Sequence, residues 1–110
     1  MAEPTPHAEG QRLYLMARKD LPSSMRTVQT AHACSTLAWK LRDSLPAEHW
    51  GEFGPFFVCY QVPDAESLEG WAEKLGEEAV LYREPDLGHE ATALAYYGPR
   101  HKGFSHLRLL

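Results

Sequence analysis

Four short apolar runs alternate with two helical patterns along this chain, and that order most narrows the folds open to it. The runs cover residues 13–17, 56–62, 79–83 and 92–97. A 3.6-residue periodicity fills residues 25–44, and a second one begins after Asp64. Strand, helix, strand, helix, strand, strand predicts an α/β sandwich built on a mixed four-stranded sheet, with right-handed crossovers. At 110 residues the chain supplies one core and not two. Residues 1–11, with Pro4, Pro6 and Gly10, read as a polar leader, and residues 12–110 as the domain.

Local signals fill in the elements. Pro22 breaks the chain after the first strand, and Ser23 or Ser24 is the expected N-cap of the first helix. On a helical wheel Val28, Ala31, Ser35, Ala38 and Leu41 share a broad side of mostly small residues, which predicts a close approach to the sheet. Pro46 is expected to end this helix, and residues 47–54, with Trp50, Gly51 and Gly54, read as a loop or short turn. The nearly continuous apolar run 56–62 predicts a central strand covered on both faces. Asp64, with Ser67 three residues on, is a capping pattern for a second helix whose stripe is Leu68, Trp71, Ala72 and Leu75. Residues 84–88 read as a turn, and residues 107–110 as an apolar tail docked on the rest.

The net charge of −4 is unevenly spread. Residues 1–43 carry six Lys/Arg against four Asp/Glu, residues 44–92 two against eleven, and residues 93–110 three against none. A uniformly basic nucleic-acid binder does not look like this, although the two chain ends brought together would form one mildly basic face. Most acids of residues 64–78 fit the solvated side of a helix. No apolar run reaches the length of a membrane span and no signal-peptide pattern opens the chain, which predicts a cytoplasmic protein with no membrane partner. Cys34 and Cys59 fall in apolar contexts, as expected of buried free thiols.

Two groups of residues carry candidate chemistry. Met25, Gln29 and His32 stand at i, i+4 and i+7 on one helical stripe, so an amide and an imidazole face one way near the helix start. They fit an anionic or carbonyl oxygen, and an imidazole there fits a general base; the alternative is a packed histidine bonded to a loop carbonyl. The second group, residues 83–90, sets Glu84, Asp86, His89 and Glu90 at a strand end, where sites on α/β sheets gather and carboxylates shift one another's pKa. A plain Pro/Asp/Gly turn has the same composition. No histidine or cysteine spacing fits zinc, and neither a phosphate loop, a nucleophile elbow nor a Cys-Xaa-Xaa-Cys pair is present.

From residue 13 to residue 110 the chain resembles the type II peptidyl-tRNA hydrolase family. The matching pieces are Arg18-Lys19-Asp20-Leu21 and Val28-Gln29-Thr30-Ala31-His32-Ala33, which corresponds to the family's Ala-Gln-Xaa-Xaa-His-Ala stretch. Pro63-Asp64-Ala65-Glu66-Ser67-Leu68, Tyr82-Arg83-Glu84, Thr92-Ala93-Leu94-Ala95 with Gly98-Pro99, and Leu107-Arg108-Leu109-Leu110 follow in order. The version of residues 83–88 is similar to a bacterial or phage-type branch. The resemblance implies a three-layer sandwich with helices on both faces of the sheet, a homodimer, no metal or organic cofactor, and hydrolysis of the ester joining a peptidyl or N-acyl-aminoacyl group to tRNA.

Carried over, the catalytic set is Gln29, His32, Glu84, Asp86 and Thr92. The substrate-contacting set is Arg18, Asp20, Met25, Arg26, Lys102 and Arg108, with Arg18, Arg26, Lys102 and Arg108 as candidates for backbone phosphates. The chain departs from the family at Met25, where the family has a Lys, at Glu84, where it has an Asp, and at Gly88, where it has a Thr. Arg26 lies about 100° round the helix from Met25, and a distorted helix start is the expected condition for it to substitute. Two further functions fit the same residues. One is an acyl hydrolase, cyclase or transferase on a small substrate, with Trp39, Trp50, Phe53, Tyr96 and Tyr97 available to line its pocket. The other is a non-catalytic module binding tRNA or protein.

Overall fold

The computed structural model describes residues 11–43 and 57–110. Expectations for residues 1–10 and for Pro46, Trp50, Gly51, Phe53, Gly54 and Phe56 lie outside the described residues. The elements run β1 (Gln11–Arg18), α1 (Ser23–Lys40), β2 (Phe57–Val62), α2 (Ala65–Leu75), β3 (Ala79–Glu84), β4 (Glu90–Pro99) and β5 (Arg108–Leu109). The fold is α/β, as expected, but the sheet has five strands, in the order β3-β4-β1-β2-β5. β1 and β2 are parallel, and β4 runs antiparallel to both β1 and β3. The fifth strand is the apolar tail itself. Arg108 and Leu109 pair antiparallel with Gln61 and Tyr60, and the Leu110 N–H donates to the Cys59 carbonyl at 2.9 Å. A two-residue strand has no periodicity to reveal it.

The connections explain the layers. From β1 the chain passes through α1 to the neighbouring β2, then through α2 back across the sheet to β3. Crossovers of one hand that travel in opposite directions put their helices on opposite faces. The strands alternate to match. Leu13, Leu15, Ala93 and Ala95 pack with Ala33 and Leu37 of α1, while Tyr14, Met16, Tyr60, Val62, Leu94 and Tyr96 pack with Leu68, Trp71, Ala72 and Leu75 of α2. Phe104, from a 3₁₀ turn over Lys102–His106, completes the second layer.

Helix α2 follows its sequence pattern. The Asp64 carboxylate accepts from the Ser67 N–H and hydroxyl, both at 2.9 Å, and Leu68 is fully buried. Helix α1 departs from expectation. Pro22 occupies the N-cap, and neither Ser23 nor Ser24 caps the helix because both already lie within its first turn. The side turned to the sheet carries Gln29, Thr30, Ala33 and Leu37, whereas Val28 is 51% exposed and Ala31 and Ser35 face outward. Small and polar residues surround this helix, so its apolar contrast is too low to fix the buried side. Thr30 tolerates burial because its hydroxyl donates back to the Arg26 and Thr27 carbonyls. Strand β2 lies second from an edge, with Phe57 exposed, so the central covered strands are β1 and β4.

Candidate active site

Four elements converge at one end of the sheet: the end of β1, the first half of α1, the end of β3 and the start of β4. Ligand sites on open α/β sheets collect beyond the carboxyl ends of parallel strands, and this is that end of β1 and β2.

A β-bulge sets the chemistry. Tyr82 faces Ala93 and Arg83 faces Ala91, so Thr92 is the extra residue. Regular alternation would put Thr92 on the α2 side with Leu94 and Tyr96. The bulge turns it to the α1 side instead. There the fully buried Thr92 hydroxyl donates to Gln29 Oε1 at 2.7 Å, with the Tyr82 carbonyl at 3.4 Å as a weaker second acceptor. Gln29 Nε2 in turn donates to Glu84 Oε1 at 3.0 Å. Glu84 Oε2 accepts from the Asp86 N–H at 3.2 Å, which ties the carboxylate to the 3₁₀ turn over Pro85–Leu87. The Gln29 amide is therefore fixed at both ends, and each oxygen of the half-buried Glu84 holds one donor.

Those donors hold the Glu84 carboxyl below the usual carboxylate range: the Gln29 bond contributes most, then the Asp86 N–H, with a smaller push from the charge of His32. The shift thus comes from α1 and the backbone rather than from neighbouring loop carboxylates. His32 is exposed, and its ring stacks on Tyr82 with centroids 4.9 Å apart and planes 13° from parallel. Tyr82 was not foreseen as part of this group, although its place two residues before Glu84 on one strand is the signal for it. Asp86 and His89 are exposed, and His89 adopts φ 63° directly after the left-handed Gly88. Among the described residues no three His, Cys, Asp or Glu side chains gather to hold a metal ion.

The cationic candidates separate in space. Arg18 is 8% exposed: Nε and Nη2 grip Asp20 in a bidentate pair at 2.8 and 2.9 Å, while Nη1 donates to Glu90 and to the Ala91 carbonyl at 3.0 Å. Arg18 therefore binds the ends of β1 and β4 together, and its donors are committed within the fold. Its Asp20 bonds hold the guanidinium charged against burial and lower the Asp20 carboxyl. Replacing Arg18 with methionine should cost about 2–3 kcal/mol of unfolding free energy at neutral pH. Because the folded Asp20 value is the lowered one, the pair stabilises fully above about pH 4 and is lost as pH falls through the folded value. The stability gap between wild type and Arg18→Met should accordingly narrow in acid, measured by denaturant unfolding against pH.

Met25 is half-buried on the first turn of α1. Arg26 lies three residues before Gln29 and four before Thr30, on the side of α1 turned to the sheet. Its N–H bonds the Pro22 carbonyl at 3.0 Å, so the helix start is regular and lacks the distortion under which Arg26 was expected to substitute for Met25. Its Nε is buried with no hydrogen-bond partner among the described residues. Lys102 and Arg108 are exposed on the C-terminal segment, apart from Gln29 and Glu84. Cys34 and Cys59 are free thiols in the α1 layer, and burial pushes the Cys59 thiol up to about 11.

No protein-family model matches the chain, and no curated protein matches its sequence. Its fold is similar to the solved structure of a protein of unknown function from Agrobacterium tumefaciens strain C58. The two share 13% identity at a TM-score of 0.63, over 94% of this chain and 99% of that one.

Proposed function

We propose that the protein is a hydrolase of peptidyl-tRNA hydrolase type, cleaving the ester between a peptidyl or N-acyl-aminoacyl group and tRNA. The observation that carries this reading is the hydrogen-bonded series Thr92–Gln29–Glu84 with the His32 ring beside it, at the carboxyl end of the parallel strands, where ligand sites on such sheets collect. A water attacking the ester carbonyl gives its proton to His32, and the fixed Glu84 carboxylate stabilises the imidazolium. Collapse of the tetrahedral adduct expels the ribose oxygen, which takes that proton back. Arg26, three residues before Gln29 on α1, is the cationic candidate to offset charge on the carbonyl oxygen as it develops. A cytoplasmic location and a homodimer belong to the same proposal.

The test is release of free tRNA from an N-acyl-aminoacyl-tRNA at low salt, with a type II hydrolase as positive control. Wild type should turn over, and His32→Ala should lose about 10²-fold or more in turnover while still binding the ester. Equal turnover by the two removes His32 from the mechanism. A second reading, an acyl hydrolase, cyclase or transferase on a small substrate, draws on Met25 and on the commitment of Arg18 to carboxylates, which leave little cationic charge beside Glu84. It takes over if wild type leaves the tRNA ester intact while the control works. Binding without turnover favours a module without catalysis.

A further inference from the structure

A concave feature opens at the same end of the sheet, beside the end of β2. It holds about 260 Å³ and is lined by Lys19, Val62, Pro63, His106, Leu107 and Arg108, with Gln61 at its edge. Three segments remote in sequence meet there: the residue after β1, the end of β2, and the entry to β5. Backbone bonds fix the frame. The Lys19 N–H donates to the Val62 carbonyl at 2.7 Å, and Gln61 Nε2 donates to the Leu109 carbonyl at 3.0 Å, which pins β5 in place.

The charge around this pocket is unbalanced in a chain whose net charge is −4. Arg18, Arg42 and Arg83 each face a carboxylate, but the side chains of Lys19, His106 and Arg108 form no ion pair among the described residues. No acid lines the pocket. The carboxylates nearest in sequence are already engaged: Asp20 holds Arg18, and Asp64 caps α2. Val62, Pro63 and Leu107 supply an apolar wall beneath these basic groups. The volume falls short of a drug-sized ligand site and fits a phosphate with part of its sugar.

We propose that this pocket is a phosphate-binding subsite for the leaving-group side of the ester, and for the identity of its ligand it rests on the hydrolase reading above. β2 and β4 flank β1, so the strand end at Val62 lies about two strand spacings, ~10 Å along the sheet, from Thr92. Val62 belongs to the α2 layer and the Thr92 hydroxyl faces α1, so a bound strand would round the end of the sheet between them. That separation is within reach of the last nucleotides of a single strand whose terminal ester lies at Glu84. Lys19 and Arg108 hold the phosphate by charge, and the apolar wall takes the sugar or base beside it. The pocket draws Lys19 from the N-terminal part of the chain and His106 and Arg108 from the C-terminal part.

Three probes test this by amide NMR titration of the whole protein: inorganic phosphate, adenosine 5′-monophosphate, and a short single-stranded RNA ending in CCA. Shifts should centre on Lys19, Val62 and Arg108. The double variant Lys19→Gln/Arg108→Gln alters two exposed side chains, and it should bind the RNA at least about 10-fold more weakly, with a shallower salt dependence. Comparable affinity for the monophosphate and the RNA assigns a free phosphate monoester as the ligand. RNA bound tenfold more tightly assigns a nucleic-acid phosphate. The second result supports the subsite as proposed, and the first overturns its place on the leaving-group side. No shifts at the pocket with any probe, or unchanged affinity in the double variant, overturns it. Pocket binding by a wild type that cleaves no tRNA ester removes the hydrolase reading and leaves the subsite. His32-dependent cleavage with an unchanged KM in the double variant removes the subsite and leaves the hydrolase.

Discussion

Replacing Phe104 with alanine should lower the unfolding free energy by about 3–5 kcal/mol, read as a fall in the denaturant midpoint at constant slope. The ring is fully buried, and its centroid lies 4.8 Å from that of Tyr14, 5.2 Å from Trp71, 5.4 Å from Tyr60 and 6.2 Å from Tyr96. Those partners come from β1, α2, β2 and β4, so one side chain joins the C-terminal segment to most of the α2 layer. Deleting it removes its own burial and leaves a cavity walled by aromatic rings that cannot collapse into it. The His101 ring, 5.7 Å away, also loses a neighbour. A loss under about 1 kcal/mol would mean that the turn over Lys102–His106 repacks freely and that Phe104 is not the anchor described. Phe104→Leu retains most of the apolar volume and should recover much of the difference.

Under the proposed hydrolase function, Gln29→Leu should reduce ester turnover by about 10²-fold, because it removes the group that aims Glu84 without touching His32. Leucine keeps much of the volume but makes neither bond. The Thr92 hydroxyl retains the Tyr82 carbonyl at 3.4 Å as an acceptor, so the stability cost should stay near 1–2 kcal/mol. A purely structural role for Gln29 predicts falling stability with unaltered pH dependence. A positioning role predicts that the Glu84 carboxyl rises toward the ordinary carboxylate range, since the Gln29 bond is the largest influence lowering it. In wild type the folded value lies below the unfolded one, so this linkage stabilises the fold above the ordinary carboxylate range and fades as pH falls through the folded value. The Glu84 carboxyl should therefore titrate at higher pH in Gln29→Leu, read from its side-chain carboxylate NMR signal against pH. A Glu84 titration that stays in place, with normal turnover, would remove Gln29 from the mechanism.

Much of the fold is legible in the residues because it rests on local regularities. The Asp64 cap and the stripe Leu68, Trp71, Ala72 and Leu75 specify α2 and its buried side within one helix. Short apolar runs between Pro/Gly breaks locate β1 to β4, and their alternation with two helices specifies an α/β sheet. The Gln29/His32 pair and the residues near Glu84 also stand out, since polar groups beside strand ends draw attention in any such chain. What lies beyond the residues is the relation between distant parts. The inward side of α1 is set by Thr92 and Glu84, which stand 63 and 55 residues from Gln29. No periodicity within a helix ringed by small residues encodes those partners.

The amino-acid sequence by itself determined the order and kind of the main elements, because helix and strand periods are properties of neighbouring residues. Tertiary structure alone decided three things on which the proposed chemistry depends. The bulge at Thr92 turned its hydroxyl from the α2 layer to the α1 layer, a choice made by strand register and not by composition. Packing at the sheet end gave Asp20, Glu90 and the Ala91 carbonyl to Arg18, so a cation that reads as a phosphate ligand became a brace between β1 and β4. Pairing of Arg108 and Leu109 with β2 carried Arg108 to Lys19, across 89 residues of chain, and made a basic pocket that neither segment contains. Each is a long-range contact, and its free energy depends on a partner that local sequence does not name.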